Sequence, residues 1–195
     1  MRLGLFFGSS TGATAWAAQL LRAELGEDLV TSFGDIRDLS AAELADFDVL
    51  VLGAPTWFVG ELQEDWQARL IELERLDLSH TRVALFGLGD ARGYPGTFLD
   101  GLGELRAALT ARGARCDLGH WPAEGYEFDA SRALLGSGNG KTFCGLALDV
   151  ENEGWLTAPR ARSWCRQLRR ELGLGRRARR VRRLGLPASP VRLRR

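Results

Sequence analysis

At 195 residues and 45% hydrophobic, the chain can bury one good core, and one domain is the default expectation. No stretch is apolar for long enough to span a bilayer, and Leu3–Phe7 is too short for a signal peptide, so the expectation is a cytoplasmic protein without a transmembrane segment. The formal net charge of +1 hides a split: residues 176–195 carry nine arginines and no acid, and the remainder holds 17 basic against 25 acidic residues, a body of charge −8.

Leu3–Phe7 is short, apolar and partly aromatic, as a buried strand should be. From Ala13 to Leu25 the apolar residues recur at helical spacing, through Trp16, Ala17, Leu20, Leu21 and Leu25. Between them Gly8-Ser9-Ser10-Thr11-Gly12-Ala13-Thr14 forms a loop rich in hydroxyls, where free N–H groups and the helix dipole favour an anion. It lacks the Gly-Lys-Ser/Thr of a nucleoside-triphosphate loop and the Gly-x-Gly-x-x-Gly of a dinucleotide loop, which leaves one terminal monophosphate as the better ligand. Taken alone, an N-cap and an ordinary strand-to-helix turn explain the loop equally well.

Further along, Leu29–Phe33 reads as a second strand, and Ser40-Ala41-Ala42-Glu43 has the form of a capping box. Asp48–Gly53 is a nearly continuous apolar strand, the pattern of burial on both faces of a parallel sheet. Helical spacing resumes over Gln63–Leu76, Val83–Phe86 is a fourth strand, and Phe98–Leu109 a further helix. Cys116–Gly119 and Phe143–Leu148 have strand character, and Thr157 is placed to cap a last helix. Strands alternating with helices argue a doubly wound α/β domain with its ligand outside the carboxyl ends of the strands. Two loops at such ends carry aromatics: Ala54–Glu61 with Trp57, and Gly87–Pro95 with Tyr94. Either they merely cover the sheet edge, or they wall a slot for a flat heteroaromatic mononucleotide. Cys116, Cys144 and Cys165 have no paired or metal-type spacing, and His80 and His120 lack a nearby ligand set, so reduced structural thiols and no metal are expected.

These blocks, in order, resemble the flavodoxins of the long-chain type: Gly8–Thr14, Pro55-Thr56-Trp57, Gly60–Trp66, Phe86–Asp90, Gly93-Tyr94, His120-Trp121-Pro122 with Gly125–Phe128, and Gly145–Asp149. The resemblance covers Leu3 to about Leu174. It implies a flavodoxin-like doubly wound sandwich: a five-stranded parallel sheet in the order 2-1-3-4-5, helices on both faces, and strand five interrupted by an insertion over about residues 120–142. The domain is expected to span 1–174, with 175–195 a disordered Arg-rich tail.

The same resemblance implies non-covalent FMN and no catalytic residue. Ser9, Ser10, Thr11, Gly12, Ala13 and Thr14 would hold the phosphate. Thr56, Trp57, Phe58, Val59, Gly60, Gly89 and Asp90 would line the isoalloxazine, with Trp57 and Tyr94 against its faces. Pro55, Leu88 and Phe98 would complete the pocket, and Glu151 would lie near the ribityl chain. Function would be that of a low-potential one-electron carrier working through a neutral semiquinone, with acids such as Glu61, Asp65, Asp90 and Glu151 disfavouring added negative charge. A shift on the order of 200 mV needs roughly 4.6 kcal/mol at about 59 mV per tenfold, whereas a stacked aromatic adds only about 0.5–1.5 kcal/mol beyond burial. Charge and a backbone bond to flavin N5, which the resemblance assigns to the Phe58 carbonyl, must therefore contribute.

Expected partners are a flavin- or iron-sulfur-containing reductase and oxidised acceptor proteins, met transiently by a monomer. Nucleic acid or anionic lipid on the tail is a lesser expectation. A flavin-dependent NAD(P)H or quinone reductase on the same fold stays open as an alternative. Several residues depart from the family pattern. Phe58-Val59 supplies neither the Gly nor the Asn that most easily tolerates positive φ, Arg92 puts a positive charge beside Tyr94, and Ala13 stands where Lys or Asn is common. The glycine-rich Leu135–Lys141 is expected to be a mobile tip of the insertion.

Overall fold

The computed structural model describes residues 1–136 and 140–175. In chain order the elements are β1 (Leu3–Phe7), α1 (Ala13–Leu25), β2 (Val30–Asp35), α2 (Ala41–Leu44), β3 (Val49–Trp57), β4 (Glu61–Leu62), α3 (Glu64–Leu73), β5 (Arg82–Leu88), α4 (Asp100–Ala111), β6 (Arg115–Leu118), β7 (Trp121–Pro122), β8 (Leu134–Leu135), β9 (Thr142–Phe143), β10 (Leu146–Leu148), α5 (Val150–Glu153) and α6 (Thr157–Glu171). The main sheet runs β2-β1-β3-β5-β10, all parallel, with β6 also on β5 and the short β4 antiparallel to β3.

Side chains alternate faces along each strand, and the two faces take different helices. Leu3, Leu5, Phe7, Val49 and Val51 point to the layer of α1 and α6. Phe6, Leu50, Leu52 and Leu85 point to the layer of α2, α3 and α4. Both layers are buried, which is why β1, β3 and β5 read as continuous apolar runs.

β6 and β10 are two halves of one strand. Leu118 stands opposite Ala84 of β5 and Leu146 opposite Phe86. Residues 119–145 leave the sheet between them and carry a small antiparallel sheet in the order β7-β9-β8. This excursion is held by an aromatic cluster of Phe98, Tyr126, Phe128 and Phe143, and by the Tyr126 hydroxyl, which donates to the Ala147 carbonyl at 2.7 Å. Of Leu135–Lys141, expected to be a mobile tip, Leu135 belongs to β8, and residues 137–139 lie outside the described residues. The expectation for the Arg-rich tail falls on 176–195 and likewise lies outside them.

Several boundaries differ from the sequence reading. β3 continues to Trp57 because its last residues pair with β4 instead of a core strand. α3 stops at Leu73, short of Leu76. α4 begins at Asp100, since Leu99 takes a left-handed conformation (φ 62°) that ends the preceding turn. Thr157 does not cap α6: Leu156 holds that position, and the Thr157 hydroxyl is buried without a hydrogen-bond partner among the described residues. The three cysteines are free, and burial pushes Cys144 up to about 12 and raises Cys116 and Cys165 as well, so all three are poor nucleophiles at neutral pH.

Two close approaches set the carboxyl edge of the sheet. Gly53 faces the Phe86 ring so tightly that a Cβ would land inside it. Its carbonyl accepts from Gly8 N at 3.0 Å and from the Trp66 indole Nε1 at 2.8 Å. Phe58, the only non-glycine residue besides Leu99 with positive φ among those described, sits at φ 44° on the solvent side.

Gly53→Ala should therefore destabilise the fold by roughly 1–3 kcal/mol in chemical denaturation, through overpacking against Phe86. Phe58→Gly should stabilise the ligand-free protein by about 1 kcal/mol by relieving the left-handed strain, raising its thermal midpoint by roughly 2–4 °C. A third expectation concerns pH. Glu43 accepts from Ser40 Oγ at 2.7 Å and Ser40 N at 2.8 Å, which holds its carboxyl below the usual glutamate range. A depressed folded-state pKa stabilises above the unfolded value of about 4.3 and is lost as pH falls through the folded value. Ser40→Ala should flatten the acid limb of the stability–pH curve without changing its neutral plateau's shape.

Candidate functional site

A cavity of about 390 Å³ opens at the carboxyl edge of the sheet, between the loops after β1, β3 and β5 and the start of α5. Parallel register brings these loops together: Phe7 is level with Asp35 and Gly53, Pro55 with Leu88, and Leu88 with Leu148.

At one end lies the β1–α1 loop. Ser9 turns inward, its hydroxyl oxygen accepting from Gly12 N at 3.2 Å and Ala15 N at 3.3 Å, so it closes the loop and does not line the cavity. Gly12, at φ 88° with open space where a Cβ would be, also stays off the cavity wall. Ser10, Thr11, Ala13 and Thr14 do line it. Their N–H groups have no acceptor among the described residues, leaving donors at the positive end of α1. Gln63, fully buried at the start of α3, donates from Nε2 to Ser10 Oγ at 3.3 Å and to Asp65, tying this loop to the next layer.

The second wall is the β3–β4 hairpin. Pro55, Thr56, Trp57 and Phe58 line the cavity, and Thr56 Oγ1 accepts from Gly101 N at 3.2 Å, pinning the strand end to α4. Phe58 and Val59 are 67% and 76% exposed at the turn, and Val59 and the buried Gly60 do not reach the cavity. The Trp57 indole Nε1 is buried with no partner among the described residues.

The third wall comes from the loop after β5. Leu88, Gly89, Asp90 and Tyr94 line the cavity, with Tyr94 half exposed. Gly93 N donates to Asp90 Oδ1 at 2.7 Å and Tyr94 N to the Asp90 carbonyl at 3.0 Å, which folds the loop back so that Tyr94 flanks Asp90. Phe98 reaches the cavity, but its ring is 1% exposed and packs among Tyr126, Phe128 and Phe143. Glu151, the second residue of α5, lies on the wall as well.

Three wall residues escape the sequence reading: Thr97, Leu99 and Val150. Val150 could have been found from its place at the end of β10 beside Glu151. Thr97 and Leu99 follow Pro95-Gly96 in an irregular turn, where no periodicity signals a face. Glu61 and Asp65 do not line the cavity; Asp65 engages Gln63 and lies 3.6 Å from Arg37.

The arrangement can hold an anion on unpaired amides and hydroxyls at one end and a flat ring between Trp57 and Tyr94 at the other. Asp90 and Glu151 bias the interior against further negative charge. No side chain in it combines a nucleophile with an adjacent base among the hydrogen bonds described.

The comparisons with known proteins agree with this architecture. The flavodoxin family profile matches residues 5–136. The chain is 42% identical over 173 residues to a flavodoxin of a Nostoc species, covering 89% of this chain and 98% of that one. It is 44% identical over 172 residues to flavodoxin 2 of Escherichia coli K12, covering 88% and 97%. Among solved structures, Fusobacterium nucleatum flavodoxin bound to flavin mononucleotide superposes with a TM-score of 0.78 at 28% identity, over 87% of this chain and 98% of that one. The chain belongs to the flavodoxin family.

Proposed function

We propose that this protein is a low-potential electron carrier that binds FMN non-covalently and moves electrons between a reductase and acceptor proteins. The observation that carries the reading is the cavity itself, with free amides of Ser10, Thr11, Ala13 and Thr14 at one end and Trp57 and Tyr94 at the other. The donor set fits FMN. A phosphate monoester satisfies the unpaired N–H groups, and a polar ligand atom would supply the acceptor that the buried Trp57 Nε1 lacks.

FMN, when bound, supplies the electron-accepting ring; the chain supplies everything around it. Ser10, Thr11, Ala13 and Thr14 hold the phosphate, and Trp57 and Tyr94 exclude water from the ring faces. Phe58 and Val59 stand outward at the rim, where a partner can approach closely. Asp90 and Glu151 place negative charge on the cavity wall, which would make electron uptake by bound FMN harder and its potential lower. Ser9, Gly12, Val59 and Gly60 act by shaping the two loops that the cavity-lining residues occupy. The finer reading is transfer in single electrons, with residues 1–174 as the FMN domain. The protein would work as a cytoplasmic monomer in transient, salt-sensitive complexes with a flavin- or iron-sulfur-containing reductase and its acceptors.

Anaerobic reductive titration of the FMN-loaded protein tests this. A one-electron, half-reduced flavin should accumulate at the midpoint, and NAD(P)H alone should leave the protein oxidised. Direct two-electron bleaching by NAD(P)H would replace the carrier with an NAD(P)H or quinone reductase.

A further inference from the structure

The loop from Leu88 to Pro95 carries Asp90 and Tyr94, yet its own bonds do not fix its tilt toward the cavity. Gly93 N to Asp90 Oδ1 and Tyr94 N to the Asp90 carbonyl only close it on itself. Its Pro95 carbonyl accepts from Asp129 N at 2.9 Å and Ala130 N at 3.0 Å, and beside the cavity the loop is held from the end of β10 and the segment after it. Gly89 N donates to the Leu148 carbonyl at 3.0 Å, Ala91 N to Asp149 Oδ2 at 3.0 Å, and Asn152 Nδ2 to Asp90 Oδ1 at 2.8 Å.

Asp149 is the centre of this arrangement. It is 2% exposed, and the hydrogen bonds it accepts are all from amides: Ala91 N, Asn152 N at 2.9 Å, and Asn152 Nδ2 at 3.0 and 2.9 Å to its two oxygens. No ion pair among the described residues involves it. A buried carboxylate with only amide partners holds those amides strongly, because charge-assisted bonds are shorter and stronger than neutral ones and loss of one leaves a desolvated group. Asn152 then passes the constraint on, since one side-chain amide spans Asp149 and Asp90. Val150 and Glu151, between the two, line the cavity themselves.

We infer that Asp149 and Asn152 are positioning residues that clamp the Asp90–Tyr94 loop over the cavity, so that the aromatic wall is set from the far edge of the sheet. The clamp rests on the proposed FMN site for its purpose, but one of its consequences needs no FMN. Arg92 is exposed within the clamped loop and offers trypsin a cut that requires the loop to open.

The test uses the full chain with Asn152→Ala and Asp149→Asn. In FMN-free protein, cleavage after Arg92, followed by mass spectrometry, should speed up about tenfold in both. Asn152→Ala should weaken FMN binding about tenfold, as loss of a charge-assisted bond would. In a Tyr94→Ala background the same substitution should change FMN affinity less than about twofold, because the wall it positions is gone. Should Asp149→Asn fail to fold, the half-buried Asn152 carries the test. Unchanged cleavage at Arg92, or an equal loss of affinity in both backgrounds, would overturn the clamp and leave Asn152 as no more than part of the first turn of α5. If the unsubstituted protein takes up no FMN, the proposed function fails, while the cleavage rates still decide whether the clamp exists.

Discussion

The carbonyl oxygen of Gly53 accepts two hydrogen bonds, one from the backbone of Gly8 and one from the indole of Trp66. With them it locks together the end of β1, the middle of β3 and the layer of α3. Here the last carbonyl of the shared register is used to hold the β1–α1 loop level with the β3–β4 hairpin, and the missing side chain lets Phe86 pack beneath. The cavity exists because these loops start from a common line. Were β1 or β3 displaced by one residue, every alternating side chain would change faces and the two cores would be lost together.

From that line outward, each wall of the cavity is stabilised by a different kind of bond. The β1–α1 loop is closed by one hydroxyl, Ser9, whose oxygen accepts from Gly12 N and Ala15 N. The hairpin is pinned by Thr56 to α4. The loop after β5 has neither; beside the cavity it leans on the Leu148 carbonyl and the Asp149 carboxylate, two strands' width from the hairpin. The walls are therefore unequal in rigidity. Two are set by the sheet and the helix beneath them, the third in large part by the exit of the last strand, through the Leu148 carbonyl and the side chains of Asp149 and Asn152.

The periodicities in the chain made most of the fold legible. β1 and α1 were readable to the residue, because an apolar run gives way abruptly to helical spacing at Gly12-Ala13. The excursion within the fifth strand was legible only through the family resemblance, carried in part by His120-Trp121-Pro122 and Gly125–Phe128 inside it, and not from any periodicity. Residues that escaped did so for physical reasons. Thr56 and Trp57 extend β3 by pairing with Leu62 and Glu61 of their own hairpin, which no sequence period announces. Leu99 breaks the expected helix by adopting a conformation that a leucine rarely takes. Thr157 looks like a cap, but the preceding irregular turn already supplies the geometry, and its hydroxyl goes unused. Loop residues became legible as a site only when taken together, since Ser9 and Ser10 are neighbours of one type that face opposite ways.

The two halves of the fifth strand have a topological consequence. Leu118 and Leu146 sit two positions apart along β5, a gap that one residue would bridge, and both point into the same core. The chain thus departs from and rejoins the sheet without disturbing register or facing. Residues 119–145 form a detour of zero net phase, an element the sheet could lose or exchange without renumbering a single contact on β5. What would have to be replaced is the aromatic cover over Phe98, and with it the floor beneath the cavity's third wall.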